Sequence, residues 1–411
     1  MSEQVEQDGK PGIIIFSIWL MVFASSSQIM IISPILPRIS EQLDIAATLL
    51  GTLVTSYAVM VGVCALIAGP VSDKIGRRKI LLYGAGGMSL ALALHSIAFD
   101  YYSLLTVRAL AGVAGGILSG SAVAYVGDYF PYEKRGWANG WIMSGIAAGQ
   151  ILGIPMGTVL AEHTGFRIPF LVFGIIMSLA FLLIYRYVPQ PNVALNETRI
   201  TIINVLKRYY EILQRREVLA ASVTYILMFF SISVYIVFLP TWLETEFNVG
   251  GNAIATVYLV GGLANVLVGP QAGKLSDRFG RKNIIIISCY GTAVTMGITT
   301  FAIIEFWHAY VLFFLTMVLV AARISPFQAL VTELVTSEKR GIMMSLLVSI
   351  GQIGYGMGGA IAGPAYVSSG YISNTFIGAV TVIVMGLIIW KFLPEPELKT
   401  SVEENVETSA I

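Results

Sequence analysis

Apolar residues follow one another in twelve long runs, each separated from the next by a short polar segment. The runs lie near residues 12–35, 47–69, 79–98, 102–128, 136–161, 167–188, 217–243, 252–273, 283–304, 308–333, 341–368 and 371–393. A helix needs about 20 apolar residues to cross the hydrocarbon core of a bilayer. The pattern predicts an all-α polytopic membrane protein with twelve transmembrane helices.

Two of the polar loops carry the same charged sequence, which indicates an internal duplication. Residues 69–78 read GPVSDKIGRR and residues 273–282 read GKLSDRFGRK, and EKRG follows each loop, at 133–136 and 338–341. Motifs repeated at one spacing are typical of chains built from homologous units. We therefore expect two pseudo-symmetric six-helix bundles at 1–190 and 217–394, a cytoplasmic linker at 191–216 and a disordered acidic tail at 395–411.

The segment between the two halves combines helical spacing with positive charge. Its apolar positions are Ile202, Val205, Leu206, Tyr209, Ile212 and Leu213, and its basic positions are Lys207, Arg208, Arg215 and Arg216. This pattern predicts a short amphipathic helix on the inner surface of the membrane. An ordinary tether between the halves is an equally good interpretation.

The basic residues indicate an orientation, because Lys and Arg of short loops stay in the cytoplasm. With both termini in the cytoplasm, the exceptions among 25 such residues are Arg38 and Arg167 outside and Arg108 and Arg323 within helices. A charged fraction of 12% and a mean hydropathy of +0.78 lie outside the range of soluble domains. We expect a multi-pass protein of the plasma membrane, and a net charge of +1 gives no sign of a nucleic-acid partner.

The repeated loop and two helices resemble the major facilitator superfamily over essentially the whole chain, and within it the twelve-helix drug:proton antiporters. The loop signature is matched twice, around Asp73 with Arg77 and around Asp277 with Arg281. In the fourth helix, Leu104, Arg108, Ala111 and Gly112 resemble the family's second motif, with Ala111 where Gln is common. The resemblance implies alternating access between two bundles, and it gives Arg108 the place of an arginine associated with proton coupling.

The fifth helix keeps the glycines of the antiporter motif but departs from it at two positions. Gly136, Gly145, Gly149 and Gly153 match, whereas Gln150 replaces a Pro and Ile154 replaces the last Gly. Pro155 can supply the kink that the missing Pro would give. Small residues four apart let helix backbones touch in lipid. We expect Gly145, Gly149, Gly153 and Pro155 to form a hinge at a contact that opens and closes between the bundles; static packing is the alternative.

The two repeated aspartates can latch the inner side of the molecule. A carboxylate beside a helix N-terminus accepts its free N–H groups, an interaction of about 1 kcal/mol. Pseudo-symmetry pairs Asp73 with the eleventh helix at Gly341 and Asp277 with the fifth at Gly136, with Arg77 and Arg281 completing the gating latch. The alternative is that these charges only satisfy the positive-inside rule.

Arg108 and Arg323 lie inside helices, where a cation is costly unless it faces a cavity or a partner. We find no Asp or Glu in the middle of any predicted helix, although many proton-coupled relatives use one. Proton coupling then depends on Arg108 with Asp128, Glu333 or His95, or the carrier works without protons. His95 is also interpretable as a packed residue, and each arginine as one bonded to backbone carbonyls.

Polar side chains on the helices around the expected centre are candidates for binding a substrate. We predict Gln28, Tyr235, Arg323, Gln328 and Gln352, and further candidates are Ser25, Ser26, Ser27, Ser231 and Ser233. An apolar cavity with a few hydrogen-bonding groups suits a bulky amphiphile. Without a central carboxylate, a neutral or anionic solute is favoured over a permanent cation.

The sequence as a whole predicts a secondary transporter and not an enzyme. No phosphate loop, nucleophile–base pair or metal-ligand spacing occurs, so neither a cofactor nor a metal is expected. The leading hypothesis is export of a small amphiphilic compound or drug in exchange for protons, by a monomer in contact with membrane lipids. The alternatives are uptake or facilitated diffusion of an organic anion, a lipid translocator, and a scaffold that binds without net flux.

Overall fold

The structure is a computed structural model that describes residues 11–193, 202–336 and 339–395, with the backbone alone for 202–206 and 208. The predicted acidic tail beyond residue 395 and Glu338 of the second EKRG sequence lie outside these residues. Helices account for nearly all of the described chain. The twelve-helix prediction is therefore tested over almost its full length.

Twelve described helices are long and apolar enough to cross a membrane, which confirms the predicted fold class. They are α1 (Pro11–Met30), α2 (Ala47–Ile75), α3 (Arg77–Ile97), α4 (Tyr101–Tyr129), α5 (Tyr132–Thr164), α6 (Arg167–Tyr187), α7 (Arg216–Phe247), α8 (Gly251–Phe279), α9 (Arg281–Ala302), α10 (Phe306–Glu333), α11 (Arg340–Ser369) and α12 (Tyr371–Phe392). The linker helix (Ile202–Leu213) lies between α6 and α7. We call the end of the molecule that carries this helix the linker end, and the opposite end the distal end.

Several spanning helices are interrupted. The first is extended at the distal end by Ile32–Leu43, and α4 breaks at Ser119 and Gly120, where Gly120 has φ of 71°. A π-helical turn occupies Gly149–Gly153 in α5, directly before Pro155. Single π-turns are rare and often mark functional positions.

Both halves use the same local chemistry at equivalent points. Gly76 and Gly280 end α2 and α8 with φ of 100° and 89°, a conformation that favours glycine and accounts for its place in the repeated loop. At the distal end, Asp100 accepts the backbone N–H of Ser103 at the start of α4, and Glu305 with His308 forms the corresponding capping box on α10. The hydrogen bonds from Ser103 lower the pKa of the Asp100 carboxyl group.

Helix packing repeats as well. In the first six helices, α1 packs on α5 and α6, α2 on α4, and α3 on α4 and α6. In the second six, α7 packs on α11 and α12, α8 on α10, and α9 on α10 and α12. These are the same pairs shifted by six helices, as a duplicated unit requires. Contacts between the two sets are made chiefly by α2 with α11 and by α5 with α8.

The predicted linker helix is present, but part of its apolar face packs on the protein. Tyr209 and Ile212 are buried, and the helix contacts α7 and α11. The Tyr209 hydroxyl donates a hydrogen bond of 3.3 Å to the carbonyl of Leu66 in α2. These two side chains therefore face neighbouring helices, and the placement of this helix on the inner surface of the membrane stays a prediction.

Candidate functional site

A cavity of about 730 Å³ lies between the two sets of helices. Its walls come from α1 and α5 of the first set and from α7, α8, α10 and α11 of the second. It extends towards the linker end as far as Gly269, Pro270 and Gln328. Gln328 is only five residues before the end of α10, about 7.5 Å by helix rise. The cavity thus reaches close to the linker surface.

The cavity wall is mostly apolar and carries a small set of neutral polar side chains. Predicted candidates Ser26, Gln328 and Gln352 are among them, whereas Ser33, Gln150, Tyr258, Asn265, Ser325 and Tyr355 were not foreseen. Gln150 had a sequence signal, since it replaces the motif's Pro. None of the residues that line the cavity carries a formal charge. Within the described chain, no group of three His, Cys, Asp or Glu side chains could hold a metal ion.

Three predicted binding residues lie away from the cavity. Gln28 is buried beside α2 and donates to the Tyr57 hydroxyl at 3.0 Å. Tyr235 is buried against α9, where its hydroxyl is 3.1 Å from that of Thr299. Arg323 is fully buried, with Nη1 3.4 Å from the Thr292 hydroxyl. The structure does not bring these three side chains to the cavity, because each points from its helix towards a neighbour in its own set.

Arg108 lies inside the first set of helices, with 1% of its surface exposed. Its Nη1 donates to Gln28 at 3.2 Å and its Nε to the carbonyl of Leu53 at 3.4 Å. The guanidinium carbon is 4.5 Å from the centre of the Tyr57 ring, a cation–π contact. The charge is therefore held by neutral groups, without a carboxylate among its described contacts.

His95 is also buried in the first set. Its ring stacks on Phe170 with centroids 4.2 Å apart, and its Nδ1 lies 2.7 Å from the carbonyl oxygen of Ala91. Both contacts fit a packed residue at the end of α3. These surroundings favour the interpretation of His95 as a packed residue over its interpretation as a proton-coupling residue.

Each repeated Asp–Arg pair forms an ion network within its own set at the linker end. Arg77 bonds Asp73 at 2.6 Å and Asp128 at 2.5 Å. Arg281 lies 3.4 Å from Asp277 and also pairs with Glu333. Arg77 therefore joins α2 to α4 in the first set, and Arg281 joins α8 to α10 in the second.

The predicted contacts of Asp73 near Gly341 and of Asp277 near Gly136 are not formed in this conformation. A Cβ placed on Gly136 or Gly341 would meet no atom within 4 Å among the described residues. Among the described residues, no hydrogen bond or ion pair joins Asp73 to α11 or Asp277 to α5, and the latch between the two sets stays a prediction. Its residues remain in place, held by the ion networks of their own sets.

The distal end is closed by an ion network that no motif in the sequence predicts. Arg38 bonds Glu41 at 2.7 Å and Glu162 at 2.9 Å, and it also pairs with Glu244 of α7. Burial lowers the pKa of Arg38, but hydrogen bonds and the three carboxylates outweigh this and raise the pKa overall. The pair with Glu244 crosses from the first set of helices to the second.

Close backbone contacts run along α2 and α11 from the distal end to the middle of the molecule. A Cβ on Gly363 would lie 2.7 Å from the carbonyl of Ala47, and the Thr55 hydroxyl donates to the carbonyl of Gly356 at 2.7 Å. Further along, the Ser349 hydroxyl donates to the carbonyl of Gly62 at 2.7 Å. These contacts join the two sets closely over the distal half.

A second seam joins α5 to α8 over the same depth. Near the distal end, Glu162 lies against Gly250 and Gly251 at the start of α8. Deeper in the molecule, Gln150 packs on Gly262. A Cβ added to Gly262 would lie 3.3 Å from the Cβ of Gln150. The π-turn of α5 therefore lies where this seam meets the cavity.

The glycines of α5 do not lie between the two sets, which corrects the hinge prediction in part. Gly145 and Gly149 contact α1 of the same set, at Trp19 and Ser26, and Gly153 contacts Ser27. In α11 the glycines are divided: Gly351, Gly354 and Gly358 face α7, and Gly356, Gly359 and Gly363 face α2. Only the second group of α11 lies at a contact between the sets.

Comparison with protein families gives one match that covers both halves. The model of the Major Facilitator Superfamily matches residues 18–224 and again residues 221–410. An uncharacterized MFS-type transporter of Bacillus subtilis (strain 168), YceJ, is 27% identical over 370 residues, which cover 89% of this chain and 91% of that one. The multidrug resistance protein MdtG of Salmonella typhi is 26% identical over 383 residues, covering 91% and 94%.

Two solved structures share the fold at low sequence identity. A D-xylose-proton symporter superposes with a TM-score of 0.77 at 18% identity, covering 95% of this chain and 99% of the other. The human organic anion transporter MFSD10 (TETRAN) superposes with a TM-score of 0.67 at 14% identity, covering 92% and 99%. At these identities the likeness concerns the arrangement of the twelve helices.

Proposed function

The chain belongs to the Major Facilitator Superfamily, whose members are membrane transporters and not enzymes, and on this premise we propose that it exports a small amphiphilic compound or drug. The observation that carries the proposal is the central cavity, which lies between the two sets of helices and approaches the linker end at Gln328. The multidrug resistance protein among its relatives, at 26% identity, supports a drug as the substrate.

We propose that the linker end faces the cytoplasm, with both termini on that side of the plasma membrane. This orientation places nearly all the Lys and Arg residues inside, in accordance with the positive-inside rule. The structure then represents an inward-facing state, because the cavity approaches the linker end while Arg38 and the two seams close the distal end. A monomer is sufficient for this arrangement, since the cavity is built from one chain.

The transport cycle that we propose is a rocking of residues 1–190 against residues 217–394, joined by 191–216. On the way to the outward-facing state, the distal seams part and the linker end closes, so that Asp73 and Asp277 reach α11 and α5. Each such contact at a helix N-terminus would contribute about 1 kcal/mol, small enough to be reversible. The π-turn before Pro155 is the position in α5 best suited to bend.

We further propose that export is driven by exchange for protons, with Arg108 and Asp128 as the coupling residues. Arg108 bonds the neutral Gln28 side chain and Leu53 carbonyl, and a charge placed nearby would rearrange these hydrogen bonds. Asp128 links α4 to Arg77 at the linker end, where a proton can reach it. Protonating Asp128 would remove one ion pair that holds the open latch, which connects the proton to the conformational change.

The alternative of an organic-anion carrier is favoured by one observation, the presence of two buried arginines without a carboxylate partner. Neither Arg108 nor Arg323 lines the cavity, so the anion would have to displace the side chains that cover them. A lipid translocator would instead need an opening between α5 and α8 towards the membrane.

Transport in proteoliposomes tests the proposal and separates the alternatives. Purified protein is reconstituted, loaded with a fluorescent drug panel, and assayed with and without an imposed pH gradient. When the linker side of the membrane is less acidic than the distal side, we expect the drug to accumulate on the distal side against its concentration gradient. Transport that ignores the pH gradient would remove proton exchange, and movement of labelled phospholipid alone would establish the translocator.

A further inference from the structure

We propose that the central cavity selects solutes without net charge, which present several hydrogen-bonding groups on an otherwise apolar body. This inference rests on the proposed transport function and names the substrate class of the same cavity. It follows from three features of the wall: the absence of charge in the lining, four amide side chains, and an uneven distribution of polar groups between the two sets of helices.

Charge is absent from the whole lining and present just beyond it. The wall includes no Asp, Glu, Lys, Arg or His. Arg108 and Arg323 are buried behind it and bond to groups of their own sets. A charged solute would lose its hydration in such a cavity and gain no ion pair, so charge of either sign is penalised.

Four amides lie in the wall, and they come from four different helices. They are Gln150 of α5, Asn265 of α8, Gln328 of α10 and Gln352 of α11. Among the described residues, the side-chain amides of Gln150, Asn265 and Gln352 make no hydrogen bond to another protein group. Each amide offers two donors and an acceptor. Amides can therefore match carbonyl, hydroxyl and amide groups of a neutral solute.

The polar groups are concentrated on one side of the cavity. The second set supplies three of the four amides and both tyrosines, Tyr258 and Tyr355. The first set contributes mainly apolar contacts from α1 and α5, including Ile29, Met30, Met143, Ile146 and Ile154. A solute with one polar and one apolar face is thus oriented, with its polar face towards α8, α10 and α11.

The size of the cavity is compatible with this class. A volume of about 730 Å³ lies within the range of roughly 300–1,000 Å³ that holds drug-sized ligands. The solute must therefore be larger than a simple sugar or amino acid if it is to fill the apolar side and reach the amides together.

Matched probe triads test the charge selectivity directly. Each triad has one fluorescent aromatic scaffold in three forms: a neutral carboxamide, a trimethylammonium cation and a carboxylate. Binding to the purified full chain is measured by fluorescence polarisation, and transport by counterflow in proteoliposomes. We expect the neutral member to bind at least tenfold more tightly than either ion on every scaffold that binds. An ion that binds equally well, or triads that all fail to bind, would overturn the inference.

The two measurements keep this inference separate from the proposed function. Neutral members that bind but do not exchange across the membrane would refute transport and leave the charge selectivity standing. Rapid transport of cations would refute the selectivity and leave the transport function standing.

Placing a carboxylate in the wall provides the second test. Asn265→Asp keeps the shape of the side chain and adds one negative charge, so we expect affinity for the cationic probe to rise at least tenfold relative to the neutral one. Asn252→Asp makes the same change at an exposed position of the same helix and should leave the ratio unchanged. Gln352→Glu repeats the test on α11 in case Asn265→Asp fails to fold. The proposal would be contradicted if the ratio of cationic to neutral affinity rose in Asn252→Asp as much as in Asn265→Asp. It would also be contradicted if the ratio rose in neither Asn265→Asp nor Gln352→Glu.

Discussion

At the residue scale, Arg108 shows how a membrane protein can keep a buried cation without a counter-ion. Gln28, the Leu53 carbonyl and the face of the Tyr57 ring share its charge. The planar guanidinium reaches all three groups at once, which a lysine ammonium cannot do. The geometry of Arg108 therefore matters as well as its charge.

Replacing Arg108 with lysine tests its proposed part in coupling. We expect Arg108→Lys to reduce drug accumulation driven by a pH gradient at least tenfold, while counterflow of the drug, which needs no gradient, stays within about threefold. Arg167→Lys is the matched control, since Arg167 donates to the Ala98 carbonyl at the distal end, away from Arg108. Equal loss of both activities in Arg108→Lys would show a structural role and not a coupling role.

Arg323 offers a test of the anion alternative. Two of its nitrogens, Nε and Nη2, have no hydrogen-bond partner in the described chain. A buried charge without a full set of partners carries an uncompensated desolvation penalty, which an apolar side chain in its place does not have. We therefore expect Arg323→Met to melt at an equal or higher temperature and to bind neutral drugs within about twofold of wild type. Loss of all transport in Arg323→Met, with a neutral drug still bound and the fold intact, would favour the organic-anion carrier.

The candidate site could be predicted only in part, and the reason is physical. A soluble helix shows its buried face as an apolar stripe, but a membrane helix is apolar on its lipid face and on its packed face. Sequence spacing therefore did not show that Gln328 and Gln352 face the cavity while Gln28 and Tyr235 face neighbouring helices. Asn265 was missed because one polar residue within an apolar helix has no periodic signal.

At the element scale, α5 joins three functions within one helix. Its glycines fit against α1, its π-turn places Gln150 beside Gly262 of α8, and Glu162 near its distal end bonds Arg38. A π-turn widens the helix by one residue per turn and leaves it easier to bend. The helix thus connects the cavity wall to the distal ion network.

The close fit of α5 on α1 can be tested with one methyl group. In Gly149→Ala the new Cβ would lie 2.9 Å from the Ser26 Cβ and 3.2 Å from the backbone nitrogen of Ser27, so the helices must separate. Overpacking of this kind costs about 1–3 kcal/mol. We expect a melting temperature lowered by several degrees and slower transport, measured in detergent and in proteoliposomes.

Gly140 supplies the matched control on the same helix. A Cβ at Gly140 would meet nothing within 4 Å, so Gly140→Ala should be neutral or slightly stabilising, as alanine favours helix more than glycine does. A Gly149→Ala variant as stable and active as Gly140→Ala would show that the contact is not as tight as the structure has it.

Helix positions were predictable because length and polarity determine what can cross a bilayer, and the expected runs agree with the twelve helices to within a few residues at most ends. The interruptions were harder. Pro155 suggested a kink, but the π-turn depends on how α5 fits against α1 and α8. The break at Ser119 and Gly120 in α4 had no sequence signal beyond a single glycine between two serines.

At the scale of the whole molecule, the duplication predicted which helices would be equivalent, and the packing repeats accordingly. The conformation was not predictable, because a carrier sequence must support two states of similar free energy. We propose that the latch contacts of Asp73 and Asp277 form in the other state. The Arg38 network belongs to the state that is seen, and its partners are far apart along the chain.

If the two halves rock about the cavity, a change at Arg38 should shift the balance between the two states. Its pair with Glu244 crosses the halves and is partly exposed, so it contributes about 1 kcal/mol, a shift of about fivefold between the two states. In Arg38→Gln the carboxylates Glu162 and Glu244 also lose the charge that holds them together. The variant should therefore populate the distal-open state more than wild type.

Spin-label distances measure this most directly, with both native cysteines replaced and the protein in lipid nanodiscs. One label pair lies at the linker end, on exposed Tyr132 and Phe279, and a second at the distal end, on exposed Phe99 and Ile304. For Arg38→Gln against wild type, we expect a larger population with a longer distal distance and a shorter linker distance, and both changes should occur in the same proportion of molecules. Two pairs that lengthen together, or that do not change at all, would contradict this expectation.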